Sequence, residues 1–293
     1  MKPAPFEYFA PTTVEQALAH LAEYGYEAKV LAGGQSLVPM MNFRLVTPSV
    51  LVDLNSIPDL AYIQPDEDGG LRLGALTRHH QVEMDSLVAA RMPLLHEAMP
   101  KIGYPQIRRR GTLGGSLCHA DPSAELVAVS VALNARFRLR SPRGERWVPA
   151  QDFFLGLFTT VLQPDELLVE VALPPLPSRT GTSFMEVARR RHDFALVGVA
   201  AVVSLDEKGG CRQVRMVFLS AGDRPMEAHR AADALAGQAP TPEALRAAAE
   251  IAASDEIDPS SDIHATSEFR RHLAKVLARR ALEQACRRAA EMK

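Results

Sequence analysis

The sequence predicts an α+β protein in two parts, and three observations lead there. Through about residue 176, strand-like runs alternate with helical ones. After the proline cluster Pro174-Pro175-Leu176-Pro177-Ser178, three strand-like runs precede a set of alanine-rich helices, the α+β order. Finally, two Gly-Gly motifs punctuate the first part: Leu31-Ala32-Gly33-Gly34-Gln35-Ser36-Leu37 and Thr112-Leu113-Gly114-Gly115-Ser116-Leu117. The expected division is 1–176, with subdomains of about 1–55 and 56–176, followed by 177–293. A chain of 293 residues is long enough to bury two cores.

Each element has its own signal. Residues 6–9 read as a short strand, and Pro11-Thr12-Thr13 starts a helix. In that helix Val14, Ala17, Leu18 and Leu21 fall at helical spacing, and Gly25 stops it. Residues 29–32 form the strand that leads into the first glycine motif, and 50–54 form the next. This gives a β-α-β unit whose glycine loop lies at a strand's C-terminal end, where α/β folds place ligands. Residues 71–75 read as a strand, with Thr77 capping the helix that follows. A further helix covers about 93–102 and ends near Gly103. The run 124–133 lacks a polar stripe and predicts a buried helix. Alternation in Arg136-Phe137-Arg138-Leu139-Arg140 predicts a half-exposed strand, and 166–173 predicts another. In the second part, strands are expected over 183–188, 196–205 and 214–219, making a three-stranded antiparallel sheet. Helices follow over 227–235, 242–253 and 267–290.

The glycine motifs carry the functional signal. Glycine lacks Cβ, so its backbone can take positive φ and bring N–H groups close to an anion. In both motifs the serine that opens the following apolar run reads as an N-cap, which would aim a helix N-terminus at the same anion. Two such loops suit a ligand with two phosphates. A net charge of -2 gives no footprint for nucleic acid or an anionic membrane surface. No run reaches the ~18 apolar residues of a membrane span, and the N-terminal residues lack an apolar signal core, so a cytoplasmic location is expected. Cys118, Cys211 and Cys286 are odd in number and widely spaced, which implies no disulfide framework. A [2Fe–2S] cluster takes four protein ligands, usually cysteine, so this chain is not expected to hold one alone.

Other constellations have sharp and plain readings side by side. Cys118-His119-Ala120-Asp121 suggests a metal site or a Cys–His nucleophile. It lacks a full ligand set, however, and neighbouring side chains on a loop seldom face each other. The plain reading makes His119 and Asp121 hydrogen-bonding groups of the loop. Arg189-Arg190-Arg191-His192-Asp193 reads as a solvated turn or strand edge, with a partner or phosphate contact as the sharper alternative. Arg108-Arg109-Arg110 could neutralise phosphates or face solvent. His79 and His80 point apart on a helix. No G-x-G-x-x-G, P-loop, H-E-x-x-H or C-x-x-C is present. With no evident nucleophile or metal cage, a bound cofactor would carry the chemistry.

Residues 32–41, Ala-Gly-Gly-Gln-Ser-Leu-Val-Pro-Met-Met, resemble the first flavin signature of the medium, FAD-carrying subunits of molybdenum hydroxylases. Residues 112–122, from Thr112 to Pro122, are similar to the second. Residues 188–198, containing Arg189-Arg190-Arg191-His192-Asp193-Phe194, are close to the segment that approaches the flavin ring. The resemblance covers essentially the whole chain. It implies a vanillyl-alcohol-oxidase-type FAD site held by two N-terminal α/β subdomains, with a C-terminal α+β domain over the isoalloxazine. Carried over residue by residue, Leu31, Ala32, Gly33, Gly34, Gln35, Ser36 and Leu37 would cradle the pyrophosphate and ribityl with Thr112, Gly114, Gly115 and Ser116. His119, Asp121 and Glu125 would extend the site toward the sugar and adenine. Ile102 and Leu168 would make apolar contacts, and Phe194 would lie near the flavin. Three departures stand out: Ser116 where Asn is frequent, no Lys at the Met185-Glu186 pair, and His192 in place of a frequent Gly.

The resemblance further implies partners: a large molybdopterin subunit and a small subunit with two [2Fe–2S] clusters, in a dimer of heterotrimers. Electrons would reach FAD here from those clusters and leave to an external acceptor. No residue of this chain would then be catalytic toward substrate. A self-contained flavin oxidase or dehydrogenase is the alternative, and it would need a base beside the ring. A non-enzymatic dinucleotide-binding protein is the third reading, and it leaves the ring-side segment unexplained.

Overall fold

The computed structural model describes residues 2–292. Its first sheet is parallel, in the order β1-β3-β2, with β1 Glu7–Phe9, β2 Ala28–Leu31 and β3 Val50–Asp53. Helix α1 (Val14–Tyr24) buries Val14, Ala17, Leu18 and Leu21 against it, the four positions that set the expected stripe. Thr13 caps α1 by accepting from Gln16 N at 3.2 Å, and Gly25 ends it at φ +51°. Helix α2 (Leu37–Asn42) follows the first glycine motif and leads back to β3.

The second sheet is antiparallel and five-stranded. Its strands are β4 (Ile63–Pro65), β5 (Leu71–Gly74), β6 (Arg136–Ser141), β7 (Gly144–Pro149) and β10 (Leu167–Leu173), ordered β4-β5-β10-β6-β7. Between β5 and β6 run α3 (His79–Met84), α4 (Ser86–Arg91), α5 (Pro93–Ala98), α6 (Pro105–Arg110), α7 (Leu113–His119) and α8 (Glu125–Ala132). Between β7 and β10 lie α9 (Ala150–Phe153) and a hairpin of β8 (Phe154–Gly156) with β9 (Thr159–Thr160). Strand β10 serves two cores at once. Leu167 and Val169 face the first sheet's core, while Leu168 and Val171 face the helical side.

The third sheet is antiparallel, in the order β11-β12-β13-β14: β11 Thr180–Ala188, β12 Ala195–Leu205, β13 Cys211–Leu219 and β14 Met226–Glu227. Three long strands were expected; the two-residue β14 makes a fourth and gave no periodic signal. Helices α10 (His229–Leu235), α11 (Pro242–Asp255) and α12 (Ser267–Glu291) cover one face. The other face carries Phe184, Ala200, Val202 and Val217 into the core that holds α5, α7 and α8. All eleven residues of β12 are therefore buried.

Several local expectations are corrected. Thr77 does not cap a helix: its hydroxyl donates to Tyr62 O at 2.8 Å, and Arg78 occupies the cap of α3. The helix expected over 93–102 stops at Ala98 and tightens into a 3-10 turn, Met99–Lys101. Neither serine of the glycine motifs is a side-chain cap. Ser36 precedes α2 without a capping hydrogen bond, and Ser116 lies inside α7, whose cap is Thr112.

Candidate functional site

The two glycine motifs meet. A Cβ on Gly33 would stand 2.5 Å from the Arg110 carbonyl oxygen and 2.8 Å from Gly111 Cα, so only glycine allows this backbone contact. One on Gly115 would stand 3.6 Å from Ala32 Cβ. Gly34 has φ +71°, the left-handed region, and turns the chain from β2 into α2. The strand ends converge as well: Leu31 pairs with Asp53 where β2 and β3 stop. Parallel strands that end together form a crevice at their C-terminal edge.

The motifs differ in the donors they offer. Around α7, Leu113 N–H donates to Thr77 O at 3.0 Å and Gly114 N–H to Ala75 O at 2.8 Å. Gly115 N–H donates to Thr112 Oγ1 at 3.1 Å, and Ser116 N–H to Thr112 O at 3.1 Å. The four first-turn amides of this helix are thus satisfied within the chain. In the first motif, Gln35 Nε2 donates to Gly33 O at 3.0 Å. The N–H groups of Gly33, Gly34, Gln35 and Ser36 find no acceptor among the described residues. A row of unspent amides on a turn is an anion cradle. The second motif, by contrast, supplies a rigid wall with the Ser116 side chain on it.

Two residues without a sequence signal tie these segments. Asn55 Nδ2 donates to Ala32 O at 2.9 Å, while Asn55 Oδ1 accepts from Arg78 Nη2. Arg78 Nη1 donates to Arg110 O, and Arg78 forms an isolated antiparallel bridge with Thr112. Burial, and the nearby Arg110 charge, hold the Arg78 guanidinium below its ordinary pKa. Asn55 could have been found from its place just past β3, beside the strand end that carries the first motif. Below them His79 is buried, with Nε2 2.9 Å from Thr112 O; burial lowers its pKa to about 4, so it is a neutral packing group. Arg108, read as a phosphate or solvent contact, is instead buried. It pairs with Glu83 through Nε–Oε2 at 2.8 Å and Nη2–Oε1 at 2.9 Å.

The remaining expected site residues spread away from the cradle. His119 ends α7 with its ring 5.0 Å from that of Phe158, and burial lowers its pKa. Asp121 Oδ1 accepts from Ser123 N at 2.8 Å and holds the turn into α8. Burial pushes the Cys118 thiol up to about 12, so it is no thiolate nucleophile. Among the described residues no group of three or more His, Cys, Asp and Glu side chains is placed to hold a metal. Glu125 opens α8; burial, then the charges of Glu186 and Asp121, raise its pKa to about 8. Glu186, on β11, is raised by burial too, with Lys101 acting the other way, and its Oε2 is buried without a hydrogen-bond partner. Ile102 packs on the rim of the helical core, whereas Leu168 lies inside that core at 4% exposure. Phe194 is 74% exposed, at the end of the turn between β11 and β12. His192 adopts φ +71° there, the left-handed conformation that a glycine accepts without cost, and its ring lies 5.0 Å from Tyr104.

Comparison with known proteins identifies the family. Residues 4–176 match the FAD binding domain in molybdopterin dehydrogenase, and residues 182–285 match the CO dehydrogenase flavoprotein C-terminal domain. The chain belongs to the FAD-binding medium subunits of the molybdenum hydroxylases. Among its relatives is the 6-hydroxypseudooxynicotine dehydrogenase complex subunit alpha of Paenarthrobacter nicotinovorans, 40% identical over 99% of this chain and 97% of that one. The carbon monoxide dehydrogenase medium chain of Hydrogenophaga pseudoflava is 37% identical, with 99% of this chain and 100% of that one covered. Similar solved structures include carbon monoxide dehydrogenase from that organism, with a TM-score of 0.95, 38% identity and coverage of 98% and 99%. Quinoline 2-oxidoreductase from Pseudomonas putida 86 gives a TM-score of 0.93 at 37% identity, each chain covered to 99%. This medium subunit is accordingly a flavoprotein, part of an oxidoreductase, and its cofactor is FAD. No helix among the described residues is long and apolar enough to cross a membrane.

Proposed function

We propose that this medium subunit carries electrons within a heterotrimeric molybdenum hydroxylase of the cytoplasm. Electrons enter from the [2Fe–2S] clusters of a small subunit and leave to an external acceptor, while substrate is oxidised on a large molybdopterin subunit. The proposed assembly is a dimer of such heterotrimers. One observation carries the reading for this chain: the first glycine motif presents four unspent amides beside the half-buried Arg78, in direct contact with the second motif. Donors of that kind suit a pyrophosphate, so the residues present fit FAD.

In this reading Leu31 through Leu37 hold the pyrophosphate and ribityl, with the Thr112–Ser116 wall opposite. His119, Asp121 and Glu125 reach toward the sugar and adenine, Ile102 and Leu168 supply apolar backing, and Phe194 screens the ring. The boundary at 176/177 separates a vanillyl-alcohol-oxidase-type FAD domain of two subdomains from a C-terminal domain that covers the flavin. Bound FAD supplies the electron-transfer chemistry; the chain binds it, orients it and limits water around it. Neither neutral His79 nor the thiol of Cys118 is placed as a base toward a substrate of its own, which favours the electron-transfer role over a self-contained oxidase.

The test is purification of the natively expressed complex with its visible spectrum and metal content. Flavin, iron and molybdenum on two additional subunits is the expected result. A lone yellow protein that bleaches with substrate would move the assignment to an independent flavoenzyme, and a colourless chain that takes up no flavin would end both.

A further inference from the structure

We infer that Arg78 is the side chain that supplies positive charge to the FAD pyrophosphate, an assignment that rests on the FAD site described above. Three placements lead to it. Arg78 opens α3 and spans the seam between the two motifs: one guanidinium nitrogen donates to Arg110 O, the other to Asn55 Oδ1, which is linked through Nδ2 to Ala32 O at 2.9 Å. It therefore sits beside the loop whose amides of Gly33, Gly34, Gln35 and Ser36 are unspent. Among the described residues, moreover, no carboxylate lies within ion-pairing distance of it, in contrast to the buried Arg108, which grips Glu83. The nearest acid, Asp53, is already engaged, accepting from Tyr8 Oη at 2.6 Å and Asn55 N at 2.9 Å.

A half-buried guanidinium beside a second arginine, with the Asp53 charge acting on it only from beyond ion-pairing distance, is under-compensated. A diphosphate resolves that imbalance. Each guanidinium nitrogen that donates to a carbonyl keeps a further N–H, and charge-assisted hydrogen bonds to phosphate are the strong ones. Backbone amides alone would leave the ligand's two negative charges balanced only by dipoles.

The experiment titrates the full-length apo chain, wild type, R78Q and R78K, with FAD, ADP and riboflavin, following flavin fluorescence and, for ADP, competition. ADP carries the diphosphate without the ring, and riboflavin carries the ring without phosphate. R78Q is expected to weaken FAD and ADP roughly 10- to 100-fold and leave riboflavin unchanged. R78K, which keeps the charge but not the fork, should fall between, and the salt dependence of FAD affinity should be shallower in R78Q than in wild type. Equal weakening of FAD and riboflavin, together with a lowered melting temperature in both variants, would reduce Arg78 to a structural tie and overturn the assignment. Unchanged FAD affinity in R78Q would also overturn it. A wild-type chain that binds none of the three ligands would remove the FAD site itself, a failure separable from that of Arg78.

Discussion

At the residue scale, Glu125 makes the most direct prediction. Its carboxyl opens α8 in a buried position near Glu186, and its pKa stands at about 8, against an ordinary carboxylate value near 4.5. In that interval the folded chain keeps a proton that the unfolded chain gives up, so stability falls as pH rises. His79 works in the opposite direction: its folded pKa of about 4 is lower than the unfolded one, and its contribution is complete above pH ~6.5. Between pH ~6.5 and ~8 His79 adds no slope, and comparison with a Glu125 variant separates this carboxyl from the likewise raised Glu186. Urea unfolding of the wild type should lose on the order of 1 kcal/mol across that window relative to Glu125→Gln, which carries no titrating proton. Parallel pH profiles for the two proteins would show that the carboxyl is solvated and the raised value misplaced. The same residue illustrates what could be read in advance. Its place just past the second motif was visible, but its raised pKa was not, because the burial that causes it is tertiary and the like charge of Glu186 comes from β11, about sixty residues later.

At the element scale, the two glycine motifs were legible as a pair but not as different objects. Both present a Gly-Gly step, a serine and an apolar run, yet one is an open turn and the other the first turn of a helix. The difference is tertiary. Gly114 must lie against Ala75, where a Cβ would come within 2.6 Å of the Ala75 Cβ, and the Thr77 and Ala75 carbonyls claim the helix amides. Thr112, not Ser116, closes α7, with Oγ1 accepting from Gly115 N. Replacing Thr112 with Ala should cost about 1 kcal/mol of stability by loss of this cap, while Ser116→Ala should cost close to nothing. Thermal melts of the two variants distinguish them; equal losses would mean that the capping assignment is wrong. The long, strongly patterned elements fell where expected: α1, α8, α11, α12 and strands β10 to β13. Five strands went unseen: β4, β8, β9 and β14 are two or three residues long and leave no periodicity to detect, while the six-residue β7 is an edge strand with mostly exposed side chains and so carries no apolar alternation. Asn55 and Arg78 were missed for a related reason. Their roles depend on which backbone carbonyl lies across the crevice, and that is set by the fold.

At the scale of the whole molecule, the two sequence-defined parts each have a core of their own and share a third across their boundary. Helix α8 is apolar all round, with Leu126 through Ala132 buried, so it needs cover on opposite sides. The five-stranded sheet's core takes one side, and Phe184, Ala200, Val202, Val217 and Leu219 from the C-terminal sheet join the same cluster. Polar ties cross the same boundary. Arg215 Nη1 donates to Val131 O at 3.0 Å near the end of α8, Ser220 N to Pro122 O at 2.8 Å, and Arg288 Nη1 to Glu97 Oε2 at 2.8 Å. Cutting the chain after residue 176 would expose one face of α8 and strip partners from α5, an apolar surface that a soluble fragment does not tolerate. The intact chain should therefore unfold in one calorimetric transition, coincident by circular dichroism and by release of flavin, and the 1–176 fragment should be recovered only as aggregate or as a loosely packed species that binds a hydrophobic dye. A soluble 1–176 fragment that melts cooperatively and retains FAD would contradict this, and would mean that the C-terminal sheet merely covers a finished domain. The shared core instead makes the crevice between the motifs and the turn between β11 and β12, with His192 against Tyr104, parts of one cooperative unit. Loss of packing in β11 to β13 is then expected to reach the cofactor without touching a single residue that binds it.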